Sequence, residues 1–514
     1  MRRYQRASCA GRACPDGRSC DAAGCVPEEV ADLPVWTGEL PTFDGSDPCL
    51  RMRWDEDGDG DGIPACGGTD CDDAEPRAFG GASESCDLVD NDCDGTVDES
   101  CPCAPVGAVE DCPTPCGSTG DRTCEESGWS ACVLRAETCN LADDDCDGAT
   151  DEGFEYVAGE PVRVTATTAA SSDPALVWAD DRYVLVWSDT TDAAGIHFLA
   201  LDREGVAMGA PARISDGGQA PDIAWSGSAC GVVWSQRTST TSCCDGTCTS
   251  MCTTYVDPVY FRIFGRDGAP LGDRFEAEAD ADTSARPSVV WNGASFVVAY
   301  PAGGSWIEVR AEDGSEVSSE RIPSHSGPFD LAYTGTHYAI SLVRSDDWYF
   351  THGMLGAFPS TETALARLER PGRPVLAWTG HGYVTAVLSR VRGMVNSDLA
   401  MQVLAIDPMG VARTALPIAL STSAGPGGFS NDRAPGIAGA PSQALVAWED
   451  HRDGNADIYF ARIASDGDVI QPATPVAATP DSSVMGAAAF AGDGFGVVWS
   501  DAGDLYFARV ACPP

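Results

Sequence analysis

Two stretches of the chain carry aspartates at the alternating spacing that suits a metal site. They read E-S-C-D-L-V-D-N-D-C-D-G-T-V-D-E at residues 84–99 and E-T-C-N-L-A-D-D-D-C-D-G-A-T-D-E at residues 137–152. Alternate carboxylates along a short loop converge on one point, and a glycine allows the sharp turn that brings a later acid back. Hard oxygen ligands at this spacing favour a calcium-sized cation. The predicted ligands in the two copies are Asp90, Asp92, Asp94, Asp98, Glu99, Asp143, Asp145, Asp147, Asp151 and Glu152.

A third acidic loop lies upstream, at residues 55–73, and reads D-E-D-G-D-G-D-G-I-P-A-C-G-G-T-D-C-D-D. It opens like an EF-hand loop, but that loop needs a Glu at its twelfth position. Counted from Asp55 or Asp57, this position holds Cys66 or Gly68, so an EF-hand is excluded. The predicted ligands are Asp55, Asp57, Asp59 and Asp61, with Asp70, Asp72, Asp73 and Glu75 closing the site. The alternative is a set of solvated acidic loops held by disulfides.

A family resemblance rests on D-C-D-D at 70–73, Pro76, Ala78, Glu84, Cys86 and D-N-D-C-D-G-x-x-D-E. These residues resemble the metal-binding repeat of MopE-like secreted and surface bacterial proteins, and the loops are also similar to thrombospondin type 3 calcium repeats. The second copy keeps only the C-terminal half of the pattern. The family name implies copper, whereas these repeats contain no His or Met, and copper prefers nitrogen and sulfur ligands. We therefore expect calcium, with copper as the alternative.

The charge balance narrows the choice of partners. The 514 residues include 78 acidic and 32 basic side chains, which gives a net charge of −46. Such an acidic surface argues against nucleic acid or an anionic membrane as a partner, and it favours solubility and cation binding. No stretch approaches the ~18 apolar residues of a membrane span. We expect a monomer.

Cysteine is concentrated toward the N-terminus, with 17 of the 23 cysteines in residues 1–152. This density indicates an oxidising compartment and a disulfide framework, and so an extracellular or cell-surface protein. A zinc site is disfavoured because residues 1–152 contain no His. Residues 1–8 are basic, but no apolar signal segment follows them. We therefore expect that the true start lies upstream or that export uses another route.

The composition predicts four segments along the chain. They are a cysteine-rich knot at 1–27, a linker at 28–54, an acidic, disulfide-stapled metal-binding region of little regular secondary structure at 55–152, and a β-propeller at 153–514. The knot holds Cys9, Cys14, Cys20 and Cys25, for which three disulfide pairings are open. Within the acidic region, residues 101–136 carry six cysteines and are expected to be a disulfide spacer.

The propeller prediction comes from a repeated pattern: a β-rich segment ending in an aromatic, a polar turn, and a second apolar strand. Seven instances start at residues 175, 222, 288, 329, 375, 436 and 487. Several continue with a third strand and an acidic-glycine turn, as in I-H-F-L-A-L-D-R-E-G at 196–205. The starts are 41 to 66 residues apart. Units of this length with up to four short strands predict about seven propeller blades, with six or eight still open, so the chain is expected to be all-β.

Four further predictions concern the propeller. Residues 505–510 are expected to pair with residues 162–166 and close the ring. Recurring tryptophans are expected to form core between blades rather than a sugar-binding stripe; they are Trp178, Trp187, Trp225, Trp234, Trp291, Trp378, Trp448 and Trp499. The insert at 238–257, with Cys243, Cys244, Cys248 and Cys252, is expected to be a disulfide-stapled loop, either a contact site or a decorative insertion. Cys230 and Cys512 are then left to pair.

The sequence favours a noncatalytic function. It contains no G-x-S-x-G, H-E-x-x-H or P-loop motif, and its six histidines are scattered through different repeats. We expect an extracellular binding or adhesion protein, in which calcium-stabilised acidic repeats present the propeller to an unknown protein or glycan ligand. The alternatives are a copper-type metal-scavenging surface protein and a propeller glycan hydrolase or lectin, because a propeller channel can assemble a site from distant residues.

Overall fold

The computed structural model is built of β-strands, so the all-β prediction is confirmed. It describes residues 19–21, 24–26 and 55–513, apart from residues 73, 100, 126–127, 141, 148–149, 152, 167–169, 190–193, 244–250, 278–285, 302–304, 323–326, 360–361, 391–398, 423–433 and 480. In these ranges the one helix is a 3-10 turn at Pro64–Cys66, and no helix there could cross a membrane. The predicted linker, most of the predicted knot, Asp73 and Glu152 lie outside the described residues.

The chain divides into two compact units, Met1–Arg135 and Ala136–Pro514. The composition changes at residue 153, but the division by contacts falls earlier. The second acidic copy, at residues 137–152, therefore lies in the same unit as the propeller. A disulfide between Cys139 and Cys512 accounts for this placement, because it joins the copy to the last residues of the propeller.

The first unit contains five strands among its described residues. They are β1 (Ser19–Asp21), β2 (Gly24–Val26), β3 (Val109–Pro113), β4 (Thr119–Glu125) and β5 (Gly128–Trp129). Strands β1 and β2 form a hairpin, and β3, β4 and β5 form an antiparallel sheet. The disulfides Cys103–Cys124 and Cys112–Cys132 staple this sheet. Few described apolar side chains are buried in the unit, so covalent links stand in for a large hydrophobic core.

The second unit begins with two short strands and continues with the blades. The short strands are β6 (Val157–Ala158) and β7 (Val162–Arg163). Blade 1 consists of β8 (Ser171–Trp178), β9 (Tyr183–Asp189), β10 (Gly195–Leu201) and β11 (Ala212–Ser215). Blade 2 consists of β12 (Gln219–Trp225), β13 (Cys230–Ser235), β16 (Val259–Phe264) and β17 (Phe275–Ala277), with a hairpin of β14 (Thr238–Cys243) and β15 (Met251–Val256) inserted. Blade 3 consists of β18 (Ser288–Trp291), β19 (Phe296–Pro301), β20 (Ser305–Arg310) and β21 (Glu316–Ile322).

The remaining blades follow the same antiparallel order. Blade 4 consists of β22 (Phe329–Tyr333), β23 (Tyr338–Arg344), β24 (Asp347–Gly353) and β25 (Thr363–Arg367). Blade 5 consists of β26 (Val375–Trp378), β27 (Tyr383–Arg390), β28 (Leu399–Ile406) and β29 (Ile418–Ser421). Blade 6 consists of β30 (Gly436–Ala440), β31 (Gln443–Asp450), β32 (Asp457–Ala464) and β33 (Val469–Ala477). Blade 7 consists of β34 (Ser483–Phe490), β35 (Phe495–Asp501) and β36 (Asp504–Ala511), with β6 and β7 beside β36.

The blades form a closed ring. The first strand of each blade contacts the first strand of the next, and β34 of blade 7 contacts β8 of blade 1. Across the described residues this gives seven blades, in agreement with the seven repeats in the sequence. The propeller prediction is confirmed.

The chain itself closes blade 7, because a segment that precedes blade 1 supplies its outer edge. Strand β7 pairs Val162 with Phe507 and Arg163 with Tyr506, which confirms the predicted pairing. Strand β6 extends the edge and pairs with the last two residues of β36, a contact the sequence pattern did not predict. The two ends of the propeller are thus joined by backbone hydrogen bonds.

The recurring tryptophans pack in the core, as predicted. Trp187, Trp234, Trp448 and Trp499 are at most 1% exposed, and each lies in a cluster of side chains from two adjacent blades. The tryptophans that end the first strands are half-buried. Three of them pack on the aromatic that starts the second strand, namely Trp178 on Tyr183 with ring centroids 4.7 Å apart, Trp291 on Phe296 and Trp378 on Tyr383. These residues therefore hold blades together rather than forming a free stripe.

Two cysteine predictions have different outcomes. The predicted pair Cys230–Cys512 is wrong: Cys230 is a free thiol buried at the start of β13 in blade 2, and Cys512 is bonded to Cys139. The sequence could not predict the true partner of Cys512, because Cys139 lies 373 residues away from it along the chain. In the insert, Cys243 and Cys252 are both disulfide-bonded, which agrees with a stapled loop. Cys244 and Cys248 lie outside the described residues.

The acidic-glycine turns explain how consecutive blades fit together. Gly205 ends the D-R-E-G turn of blade 1 with a φ of 86°, in the left-handed region. A Cβ at this position would lie 2.1 Å from Cδ1 of Phe507 in blade 7. The glycine is therefore needed both for its backbone conformation and for the close approach of two blades.

Replacing Gly205 with alanine should destabilise the propeller more than the same change at Gly227. Gly227 has a similar φ of 93°, but a Cβ there would have no neighbour within 4 Å, so it is a matched control for backbone strain alone. Overpacking against Phe507 should add about 1–3 kcal/mol to the loss of unfolding free energy. Urea unfolding of both variants measures the difference. Equal losses would show that the blades are not in tight contact at this turn.

Candidate metal centres

The first acidic copy folds around the carboxylate of Glu84. Its two oxygens accept hydrogen bonds from the backbone N–H groups of Asp92, at 2.9 Å, and Asp98, at 3.0 Å. One carboxylate oxygen each from Glu84, Asp90 and Asp92 lie within 4.8 Å of one another, and these residues are called the first triad. In a second group, one carboxylate oxygen each from Asp92, Asp94 and Glu99 also lie within 4.8 Å of one another.

The second acidic copy repeats this geometry. The carboxylate of Glu137 accepts the backbone N–H groups of Asp144 at 2.6 Å, Asp145 at 3.0 Å and Asp151 at 3.0 Å. One oxygen each from Glu137, Asp143 and Asp145 lie within 4.8 Å of one another, and these residues are called the second triad. They are the counterparts of the first triad, so two separate loops in two different units build the same cluster.

Glu84 and Glu137 join the carboxylate clusters, although the sequence did not predict them as candidate ligands. Both lie outside the D-x-D-x-D-G-x-x-D pattern from which the ligands were predicted. The sequence feature that could have identified them is a glutamate six residues before the first aspartate of the D-x-D-x-D-G-x-x-D pattern in each copy. Its backbone hydrogen bonds explain why a glutamate is needed: its longer side chain reaches across the loop and holds the two ends of the motif together.

The upstream loop brings together three of its predicted ligands, Asp55, Asp57 and Asp59, within the same distance. Each accepts a backbone N–H from two or three residues ahead, which curls the loop around the carboxylates. Asp61 turns away and accepts the N–H and hydroxyl of Thr69, and these hydrogen bonds lower the pKa of its carboxyl. Asp61 therefore fastens the loop.

The remaining predicted ligands are not in these clusters. They are Asp61, Asp70, Asp72, Glu75, Asp98, Asp147 and Asp151, while Asp73 and Glu152 lie outside the described residues. Asp98 accepts the backbone N–H of Leu88 at 3.0 Å, and Asp151 accepts that of Asn140 at 2.8 Å. The last aspartate of each motif thus closes the loop on its own first residues. Asp70 is fully buried and Asp72 is exposed.

The electrostatics of the clusters indicate excess negative charge. Buried oxygens of Asp57, Asp59, Asp90 and Glu99 have no hydrogen-bond partner. A backbone hydrogen bond lowers the pKa of Glu99, but desolvation and the charges of Asp92, Glu84 and Asp94 together raise it. Desolvation likewise raises the pKa of Glu137, against its three backbone hydrogen bonds. A buried carboxylate oxygen without a partner is costly, and a cation held by these carboxylates would offset that cost.

The donor set fits a hard divalent cation. The clustered side chains offer only carboxylate oxygens, which calcium and magnesium prefer. The cysteines interleaved with them cannot act as thiolate ligands because they are in disulfides, among them Cys71–Cys93 and Cys86–Cys101. The first of these links the upstream loop to the first copy, so it fixes two acidic loops beside each other. A cation would be held by the two triads, by Asp55, Asp57 and Asp59, and by Asp94 and Glu99.

The propeller encloses a second candidate site, a central cavity of about 520 Å³ lined by the first strands of its blades. At equivalent positions of their first strands, blades 2, 3 and 4 present Asp222, Ser288 and Asp330 to the cavity. The other blades present small or apolar residues at this position: Ala175, Val375, Gly436 and Ala487. At this position the wall is polar in blades 2, 3 and 4 and apolar in the other blades, while Asp173 and Glu449 add charged groups elsewhere in the lining.

The polar residues of blades 2, 3 and 4 also tie blades together. Asp222 accepts the N–H of Val289 in the next blade at 2.8 Å, and Asp330 accepts that of Leu376 at 2.8 Å. The Ser288 hydroxyl lies 3.0 Å from Asp222 and 3.3 Å from Asp330, between the two carboxylates. Burial raises the pKa of Asp330 to about 6, with Arg373 opposing the shift and Asp222 adding to it. Burial also raises the pKa of Asp222.

Comparison with protein families identifies the acidic copies. The family model described as Cu-binding MopE, a metal-binding motif, matches residues 70–99 and 134–152. The resemblance seen in the sequence is confirmed for these residues, which are a small part of the chain. Comparison with the curated proteins found no match.

Solved structures similar to this chain include propellers of low sequence identity. The WD40 domain of Toxoplasma gondii coronin is 10% identical, with a TM-score of 0.41, covering 70% of this chain and 85% of that chain. The β-propeller domain of the Trilobed protease from Pyrococcus furiosus is 10% identical, with a TM-score of 0.39 and coverages of 67% and 96%. A subtype N10 neuraminidase-like protein of A/little yellow-shouldered bat/Guatemala is 9% identical, with a TM-score of 0.37 and coverages of 69% and 99%. These likenesses concern the fold alone; the ring of seven sheets is the evidence for the propeller.

The Asp330→Asn variant should gain stability relative to the native chain as the pH rises. A carboxyl whose folded pKa is raised, here from 3.8 to about 6, stabilises the fold below pH 4, and this contribution is lost as the pH rises through 6. The lost contribution is about 3 kcal/mol at pH 7. The amide does not titrate, so the variant escapes this loss.

Urea unfolding of both proteins in a chelator, at pH 4 and pH 7, measures the effect. The Asp216→Asn variant is the control, because this side chain is 98% exposed. Parallel stability profiles for the native chain and Asp330→Asn would contradict the assignment of a buried, protonatable carboxyl to the cavity.

Proposed function

We propose that this chain is an extracellular, noncatalytic binding protein whose acidic loops hold calcium. The observation that carries the proposal is the recurrence of one triad, a glutamate and two aspartates, in two loops that belong to different units. In both copies the three carboxylates face one another within 4.8 Å, and a cation bound between them would relieve their mutual repulsion. Unpartnered buried oxygens of Asp90 and Glu99 add to this support, because a cation would satisfy them.

Calcium is preferred over copper on the chemistry of the donors. Every clustered ligand is a carboxylate oxygen, whereas copper sites are built from imidazole, thiolate or thioether groups. The first histidine of the chain is His197, far beyond both copies. Copper scavenging is the second candidate function, and what favours it is the match to a family named for copper binding. Extracellular calcium modules commonly have dissociation constants of roughly 10⁻⁴ to 10⁻³ M, and we expect values in that range.

The propeller is the part that would recognise a ligand. Its central cavity is large enough for a small organic group and is lined by both charged and apolar side chains, a mixture that can orient a ligand. A protein or glycan partner is consistent with this surface. The disulfides support an extracellular or cell-surface location, because such bonds persist in oxidising compartments.

Isothermal titration of the oxidised full chain with calcium, and separately with copper, tests the proposal. Calcium should bind at two or more sites. The double variant Asp92→Asn with Asp145→Asn should lose at least two of them, because it neutralises one ligand in each triad while keeping the side-chain shape. The control is Asp216→Asn, which removes a charge from the exposed surface outside the acidic copies and should leave binding unchanged.

The two metals separate the candidate functions. Tight copper binding without a calcium response would contradict the calcium proposal and support scavenging. Calcium binding that survives the double variant would place the sites outside the triads. No response to either metal would leave the acidic copies as disulfide-held loops without a metal function.

A further inference from the structure

The second acidic copy is fastened to the propeller at both ends of its loop. Near its start, Cys139 forms the disulfide with Cys512, one residue beyond β36 of blade 7. Both cysteines pack against a core cluster made by blades 6 and 7. At its other end the loop runs into β6, which pairs with the same strand β36. The second triad therefore lies within the segment that closes the ring.

A buried arginine anchors the end of this copy. Arg462, in β32 of blade 6, is fully buried. Its guanidinium donates to the carbonyl oxygens of Thr150 at 3.1 Å and Phe154 at 2.9 Å, and to the side chain of Gln443 at 2.7 Å. Carbonyl oxygens at the end of the acidic copy thus solvate a charge that lies inside the propeller. If the copy moved away, the buried guanidinium would lose these hydrogen bonds.

Asp151 and Tyr156 connect the triad to the closing strand. The N–H of Asp151 donates to Glu137 of the second triad, and its buried carboxylate accepts the hydroxyl of Tyr156 at 2.5 Å. The ring of Tyr156 lies under Arg462, with Cζ 3.8 Å from the ring centroid. Its backbone N–H and carbonyl both bond to Gln471 of blade 6, at 2.8 and 2.9 Å. The next residue begins β6.

We propose that the second triad is a cation-dependent latch on the propeller, which holds the ring closed when a cation occupies Glu137, Asp143 and Asp145. This inference rests on the proposed calcium binding and adds a consequence that the first triad does not share. Without a cation, repulsion among the three carboxylates opposes the compact loop that presents Asp151 to Tyr156. With a cation, that loop is favoured, and the pairing of β6 and β7 with β36 is favoured with it.

Hydrogen exchange of the full chain, in calcium and in a calcium chelator, tests the latch. The amides to follow are those of residues 157–164 and 505–511, which form the closing pairing. If the site exists only in the closed ring, calcium at 100 times its dissociation constant should slow their exchange by about 100-fold. Amides of the first unit's sheet should not report on the second triad.

Matched double variants separate the two copies. Asp143→Asn with Asp145→Asn keeps the acceptor oxygens that hold the loop but removes two charges of the second triad, and calcium should no longer slow exchange at the closing pairing. Asp90→Asn with Asp92→Asn makes the same change in the first triad, and the full calcium effect should persist. The same slowing in the second-triad variant, or its loss in the first-triad variant, would overturn the latch.

The Tyr156→Phe variant tests the connection itself. It keeps the ring under Arg462 and removes only the hydroxyl that Asp151 accepts. Calcium should still bind to the second triad, while its effect on the closing pairing should fall about tenfold or more. An unchanged calcium effect would show that Tyr156 does not transmit it.

Calorimetry on the same samples distinguishes the two possible failures. If calcium binds to the second triad but does not alter exchange at the closing pairing, the latch is refuted and the proposed calcium function stands. If calcium does not bind at all, both are refuted. Slowed exchange together with loss of both effects in the second-triad variant supports both.

Discussion

A single buried cation, the guanidinium of Arg462, links the parts of the second unit that the chain would otherwise keep apart. It lies inside blade 6 and is solvated by carbonyl oxygens of the segment that leads from the acidic copy into the closing strand. A buried charge is tolerated only when its hydrogen bonds are complete, and breaking such an arrangement costs about 3–5 kcal/mol. These hydrogen bonds hold the end of the acidic copy against blade 6, and they act together with the disulfide to Cys512 and the strand pairing at the edge of blade 7.

The two acidic copies use one design for different purposes. In each copy a glutamate accepts backbone N–H groups from the motif while it joins two aspartates in a cluster, so the same side chain shapes the loop and supplies a ligand. The first copy lies in a unit whose described part has little apolar core and several disulfides. The second copy lies on a large propeller core, where its last aspartate is buried and bonded to Tyr156. In the proposed function, a bound cation would order a small stapled unit in the first copy and favour ring closure in the second.

Much of the fold could be predicted from local pattern. Each blade repeats the pattern of a first strand, a polar turn and an apolar second strand, so the seven repeats in the sequence correspond to seven sheets. Closure by residues 162–166 was also predictable, because the last strand needed an edge partner. What could not be predicted depends on contacts between distant positions. Cys139 and Cys512 are 373 residues apart, and Arg462 and Gln471 meet residues 150–156 only after the ring closes.

The clustering of the aspartates was predictable from the sequence, and their separate roles were less so. Alternating aspartates marked all three loops correctly as acidic clusters, because the spacing is local. The roles within each loop were not visible: Asp98 and Asp151 accept backbone N–H groups and close the loop, while Glu84 and Glu137 join the clusters. These roles follow from how the backbone turns, and the turn depends on the folded loop and its disulfides. The division after Arg135 was hidden for a related reason, since both copies share one composition but belong to different units.

The most direct test of this account is a crystal structure of the oxidised chain grown with calcium, with anomalous diffraction to locate the ions. The account predicts anomalous peaks bounded by Glu84, Asp90 and Asp92 and by Glu137, Asp143 and Asp145, with Arg462 bonded to the carbonyls of Thr150 and Phe154. Density without a calcium peak at either triad, or a second acidic copy detached from blade 6, would contradict it.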